Sequence, residues 1–373
     1  SENSKEAANV REIRSFGASS LTEVIAHIKG YKSISPQTPA GETPKPAGGR
    51  HKDPDFRDVK GQEHVKRGLE VAASGNHNAL LLGPPGSGKS MLAKRFPWLL
   101  PGLSREESLE ITRVYSIAGE NIPDGIMLKR PYRSPHHTIS SAAMAGGGSW
   151  PLPGEITLSH NGVLFLDEFP EFRRDVLETL RQPLESGEIT ITRVERSVRY
   201  PARFLLIAAM NPCPCGHLTD PKKQCRCTPI QIQRYLSKVS GPLLDRIDIH
   251  LEVPRLEYDT LSRKRAGEST EDIRSRVLRT REIQNERLGP SPRHASYNAY
   301  MTPDEVEKHC ALTDDASRIL KSAILELGLS ARAYDKILKI ARTVADMETS
   351  EKIDSHHISE AIGYRCLDRN LWG

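Results

Sequence analysis

The run Gly83-Pro84-Pro85-Gly86-Ser87-Gly88-Lys89-Ser90 carries residue types that hold phosphate. Its glycines let backbone N–H groups converge on oxygen atoms. Lys89 reaches the outer phosphates, and the Ser90 hydroxyl stands where a phosphate-bound Mg2+ needs a ligand. The apolar stretch Ala79-Leu80-Leu81-Leu82 precedes the run and the helix-forming Met91-Leu92-Ala93-Lys94 follows it, so the context is strand, turn and helix start. A chance glycine-rich turn needs none of these flanks. The pattern implies a nucleoside triphosphate, ATP with Mg2+, bound by Gly83 through Ser90.

Turnover needs more groups. Asp167 and Glu168 close the apolar run Val163-Leu164-Phe165-Leu166. An aspartate at a strand end beside the phosphate loop can hold Mg2+, and the adjacent glutamate can orient and polarise the attacking water. Asn211 ends another apolar run, Phe204 to Met210. Its amide suits a water or the γ-phosphate, with a simple turn before Pro212 as the competing reading. Arg246, in Gly241-Pro242-Leu243-Leu244-Asp245-Arg246-Ile247-Asp248, and Arg332, in Leu329-Ser330-Ala331-Arg332-Ala333-Tyr334, offer guanidinium groups. Such groups stabilise charge on a transferring phosphoryl group, often from a neighbouring subunit. An ordinary salt bridge would use the same residues.

Cys213-Pro214-Cys215 and Cys225-Arg226-Cys227 bracket a polar stretch with little to hold itself folded. Four thiolates suit a tetrahedral Zn2+, although the spacing within each pair is tighter than usual. Free or redox-active thiols are the alternative, and His217 is a spare ligand. Crowding of four of the six cysteines into one loop favours a metal site in a reducing, cytoplasmic compartment over disulfides.

Basic residues form two further groups. In Arg130-Pro131-Tyr132-Arg133-Ser134-Pro135-His136-His137-Thr138 the adjacent histidines share no face, and no nearby acid or cysteine completes a metal set. Contact of Arg130, Arg133, His136 and His137 with a nucleic-acid backbone is the better reading, with solvated charge as its rival. Gly187 to Tyr200 alternates apolar and polar residues and turns near Arg193 to Arg196. It reads as a β-hairpin whose Arg193, Arg196 and Arg199 contact DNA or are merely solvated.

These side chains need a scaffold. Three apolar runs ending in polar residues predict an open α/β sheet with its site at the strands' C-terminal ends. After Val253-Pro254 helical spacing recurs near 269–288, 303–309, 313–326, 330–347 and 355–366. Thr302-Pro303-Asp304-Glu305 is a helix start, with cap, proline and acid in order. The organisation reads as an opening segment 1–30 with a helix capped by Ser20 and a Pro/Gly-rich linker 31–54. A nucleotide domain at 55–256 and a helical domain at 257–373 follow. The 373 residues carry a net charge of +5, which permits a nucleic-acid partner without requiring one. No apolar run is long enough to span a membrane.

With these motifs in this order the sequence resembles an AAA+ ATPase. It is similar in particular to the magnesium-chelatase-like ComM/YifB family over nearly all of residues 55–370. The most specific matches are Arg130 to His137, Pro153 to Gly162, Gly241 to Asp248 and Leu329 to Asp335. The resemblance implies a parallel-sheet core, a β-hairpin before the first sensor (Asn211) and a small C-terminal helical lid. It implies a ring, usually a hexamer, that acts on single-stranded and branched DNA. Branch migration in natural transformation, beside recombination proteins, is the associated activity. It makes Arg246 an arginine finger and Arg332 a second sensor, acting in cis or in trans, and points the hairpin into the pore. Zinc becomes structural, and residues 1–30 the end of a Lon-like domain. A chelatase-type or protein-remodelling motor acting on a partner protein remains the rival.

Overall fold

The computed structural model describes residues 3–10, 12–39, 54–122, 125–148, 150–193, 196–220, 222–256, 267–289 and 296–365. Most of the linker (40–53), residues 257–266 and the side chains of Arg193 and Arg196 lie outside that description.

Ala79–Leu82 (β1), Val163–Leu166 (β5) and Leu205–Met210 (β8) are buried at every residue, as strands covered on both faces must be. With Tyr132–Arg133 (β2) and Ile249–Glu252 (β9) they form one sheet in the order β2-β5-β8-β1-β9. Every pairing in it is parallel. The register sets Leu82 opposite Met210 and Leu166 opposite Ala208. Gly83, Asp167 and Asn211 therefore leave the same edge side by side, where open α/β sheets bind ligands.

Two short antiparallel ladders flank this core. Gly146–Gly147 (β3) pairs with Leu152–Pro153 (β4), and Glu188–Arg193 (β6) pairs with Arg196–Pro201 (β7). In the second, Ile189 and Ile191 are buried while Thr190 and Thr192 face solvent, the period-two pattern of a half-covered strand.

Helix Glu63–Gly75 buries its inner face against the sheet and carries the C-terminal helices Thr270–Leu288 and Ala331–Met347 on its other side. Thr302 caps Pro303–His309 with Glu305 reaching back, the capping box that its sequence predicts. The lid is pinned by a buried carboxylate. Asp346, 1% exposed, accepts from Arg287 at 2.5 and 2.6 Å, from Arg342 at 3.0 Å and from Asn298 at 2.8 Å.

The opening segment touches the nucleotide domain. Asn9 Nδ2 donates to the Gly125 carbonyl at 3.0 Å, and Arg105 donates to the Asn9 carbonyl at 2.5 Å. Ser20 caps helix Leu21–Ile28, none of whose residues is buried. Among the described residues no helix is long and apolar enough to cross a membrane.

Removing the charge at Asp346 strands the buried Arg342 guanidinium and the half-buried Arg287 guanidinium. Asp346→Ala is expected to lower the unfolding free energy by about 3–5 kcal/mol, read from the midpoint of chemical denaturation.

Candidate nucleotide site

Gly86 and Gly88 adopt φ of +76° and +96°, so the turn after β1 takes a path that other residues resist. Helix Lys89–Arg95 starts at the end of that turn. The Lys89 ammonium donates to the carbonyls of Gly83 (2.7 Å) and Pro84 (3.0 Å) and to Asn211 Oδ1 (3.2 Å). Burial lowers its pKa, and the charge of Asp167 opposes that shift. Beside it, Ser90 Oγ donates to Asp167 Oδ2 at 2.5 Å. A hydroxyl and a carboxylate this close form the oxygen pair that a Mg2+ ion on a phosphate chain would share or bridge through water. Lys89, Ser90, Asp167 and Asn211 are thus in one place, as their sequence positions predict.

Glu168 is a case apart. Its φ of +52° is left-handed, which is unusual for a non-glycine residue and concentrated at functional sites. The turn presents its carboxylate to solvent, 57% exposed, and places one oxygen 3.0 Å from His137 Nδ1. His137 packs its ring on His136 at 4.1 Å between centroids. Sequence reasoning found no acid for the histidine pair because the acid is thirty-one positions away, across the β2–β5 pairing.

Sequence reasoning also missed Gln62. Its amide donates to the carbonyls of Pro254 (2.7 Å) and Ser87 (3.4 Å), tying the phosphate loop to the chain that leaves β9. The only local signal is Gly61-Gln62 just before helix Glu63–Gly75.

Arg246 and Arg332 stand elsewhere. Asn78, at the start of β1, donates to the Arg246 carbonyl at 3.0 Å and by its backbone to Asp248 at 3.1 Å. Gly83 lies at the far end of that strand, about 16 Å away at ~3.3 Å per residue. The Arg246 guanidinium pairs with Glu185 at 2.9 Å, and Arg332 pairs with Asp245 at 3.2 Å. Both arginines therefore occupy one patch at the sheet edge opposite Lys89.

The basic stretch around β2 divides. Arg130 donates to the carbonyls of Pro101 (2.8 Å) and Asn161 (2.7 Å) and pairs with Glu107 at 2.9 Å. Arg133 makes a two-pronged pair with Glu155, 2.6 Å on each arm. Both guanidinium groups are thus paired with acids of the same chain, with 10% of the Arg130 and 26% of the Arg133 side chain exposed. His136 is exposed and His137 is held by Glu168. Arg199 is 71% exposed, with Glu188 at 3.3 Å. Backbone pairing sets Arg193 opposite Arg196 at the hairpin turn.

Cys213, Cys215, Cys225 and Cys227 converge, with their four sulfur atoms within 4.8 Å of one another. Cys213 Sγ lies 3.4 Å from Cys215 Sγ and 3.6 Å from Cys225 Sγ. Zn–S bonds of about 2.3 Å at the tetrahedral angle require sulfurs ~3.8 Å apart, so the donor set fits the metal. Backbone N–H groups of Cys215 and Cys227 point at Cys227 Sγ and Cys225 Sγ. The N–H groups of Arg226 and His217 pull the Cys215 thiol down, while burial pushes Cys213 up. A second cluster, Glu348 with His356 and His357, is self-satisfied. Both imidazoles reach Glu348 Oε2, and His357 Nδ1 accepts from the Asp354 N–H.

Sheet order, phosphate loop, acid pair and helical lid define a Mg2+-dependent P-loop ATPase of the AAA+ class. Residues 55–261 match the family described as magnesium chelatase, subunit ChlI, and residues 267–365 match its C-terminal counterpart. The chain belongs to the magnesium-chelatase-like ComM/YifB family of ATP-hydrolysing enzymes. It is 44% identical to competence protein ComM of Haemophilus influenzae over 99% of this chain and 71% of that protein. It is 45% identical to YifB of Escherichia coli over 95% of this chain and 68% of that protein. A 38 kDa magnesium-chelatase subunit of Rhodobacter capsulatus is 28% identical over 42% of this chain and 50% of that protein.

Because Arg130 is tied to Glu107 and two carbonyls, Arg130→Ala is expected to lower stability by about 2–3 kcal/mol. Denaturation curves test the loss, and ATP binding by the folded fraction should persist.

Proposed function

We propose that this chain is an ATP-driven ring motor, a homo-hexamer, that moves branched DNA. Its task in the cytoplasm would be branch migration as incoming single-stranded DNA is integrated during natural transformation. The observation that carries the ring is the position of Arg246 and Arg332, together and a strand's length from Lys89. In a ring, that patch faces the phosphate loop of the next subunit. Arg332 then acts in trans with Arg246, each leaving its own acid to meet the γ-phosphate.

In the cycle, Lys89 and the loop amides hold the phosphates, and Ser90 and Asp167 would hold Mg2+, which would neutralise charge on the phosphate oxygens. Glu168 takes a proton from the attacking water as its oxygen bonds to the γ-phosphorus, and the bond to ADP breaks. Asn211 aligns the water, and Arg246 with Arg332 stabilises the charge that develops. Glu168 must leave His137 to act, so the loop bearing the histidines is mechanically linked to hydrolysis. The β6–β7 hairpin with Arg193, Arg196 and Arg199, together with His136, supplies contacts to the DNA backbone. Such contacts are largely blind to sequence and weaken with salt. Arg130 and Arg133 support the fold beneath this surface. The four cysteines hold one structural Zn2+.

Descent from a competence-protein family supports the DNA reading over a motor that acts only on a partner protein. Strand exchange on three- and four-stranded substrates tests it. ATP-dependent branch migration that Lys89→Ala abolishes is the expected result, and turnover indifferent to DNA would end the proposal. Glu168→Gln should bind ATP without hydrolysing it. Mixing Glu168→Gln with Arg246→Ala should restore turnover that neither protein has alone, because one subunit supplies the base and its neighbour the arginine. No recovery at any ratio would exclude action in trans.

A further inference from the structure

The cysteine loop does more than fold itself. Asn211 ends β8 and is followed at once by Pro212 and Cys213, the latter fully buried. The Gly216 N–H donates to the Cys213 carbonyl at 2.9 Å, closing a turn with Gly216 at φ +78°. That turn rests on the phosphate loop. A Cβ at Gly216 would lie 2.5 Å from Pro85 Cδ, 2.7 Å from Pro85 Cγ and 3.6 Å from the Asn211 side chain. Only glycine allows this approach.

The other end of the loop is anchored to the same sheet edge. Asp220, whose side chain is 0% exposed, accepts from the Lys222 N–H at 2.9 Å and pairs with His217 at 3.2 Å and Arg255 at 3.1 Å. Arg255 directly follows Pro254, whose carbonyl Gln62 holds while its amide also reaches Ser87. The loop therefore touches the exits of β1, β8 and β9. Its own residues between the cysteine pairs are mostly polar, so the four sulfurs and the buried Asp220 fix its shape.

We propose that this cysteine knuckle is a positioning element of the nucleotide site, and that metal occupancy sets ATP affinity through the Gly216–Pro85 contact and the placement of Asn211. This rests on the assignment of the four cysteines to a metal ion. A closed knuckle presses on Pro85 and orients the Asn211 amide that meets Lys89. Without the ion, no bond ties Cys213 and Cys215 to Cys225 and Cys227, so the turn at Gly216 loosens and both contacts relax.

The test uses the full chain and reads metal and ATP separately. Metal content is measured by atomic emission, and affinity with a fluorescent ATP analogue in Mg2+. The protein is compared as purified, after chelation, and after Zn2+ alone is returned. One ion per chain is expected, with affinity at least 10-fold weaker after chelation and restored by Zn2+. Gly216→Ala should keep its metal yet bind the analogue at least 10-fold more weakly, read well below an unfolding midpoint that alanine at this positive φ also lowers. Adding Pro85→Ala, which removes the obstructing ring, should bring the double variant close to Pro85→Ala alone. Unchanged affinity after metal loss, or wild-type binding by Gly216→Ala, overturns the coupling while leaving the metal assignment intact. Failure to bind Zn2+ at all overturns the assignment, and the proposal with it.

Discussion

Parallel pairing of β1, β5 and β8 in one register is the constraint on which this protein depends. Backbone hydrogen bonds set Leu82 against Met210 and Leu166 against Ala208. A slip of one residue would turn every buried side chain to the wrong face, so burial on both sides locks the alignment. Because it is locked, three residues far apart in sequence emerge side by side. The Lys89 ammonium can then touch Asn211, and the Ser90 hydroxyl can touch Asp167. The chemistry of the site is a consequence of strand register before it is a consequence of residue type.

Much of this was legible from residue order. A glycine-rich turn after four apolar residues, and acids after another four, have few structural solutions. The lid helices could be bounded because their caps are local, as at Thr302 and Ser330. The partners of long side chains were not legible. Arg130 and Arg133 sit in a basic run that reads as a phosphate contact, yet Glu107 and Glu155 neutralise them from other elements. An ion pair between distant segments leaves no periodic trace in sequence. The same holds for His137 and Glu168, which only the pairing of β2 with β5 brings together.

A strained backbone and a captured carboxylate meet at the acid pair. The left-handed backbone at Glu168 exposes its carboxylate, and His137 then captures it. The knuckle adds support from the opposite side, where its glycine meets the phosphate-loop proline. The site is thus braced by parts that take no direct share in bond breaking.

The acids beside Arg246 and Arg332 have a further consequence. Each arginine already has a carboxylate within its own chain, at 2.9 and 3.2 Å. Joining two copies through these groups would swap one ion pair for another, at little cost for the exposed Arg332 pair and at more for Arg246, whose side chain is 17% exposed. A seam built on these groups would then draw its selectivity from the partly shielded Arg246 more than from Arg332.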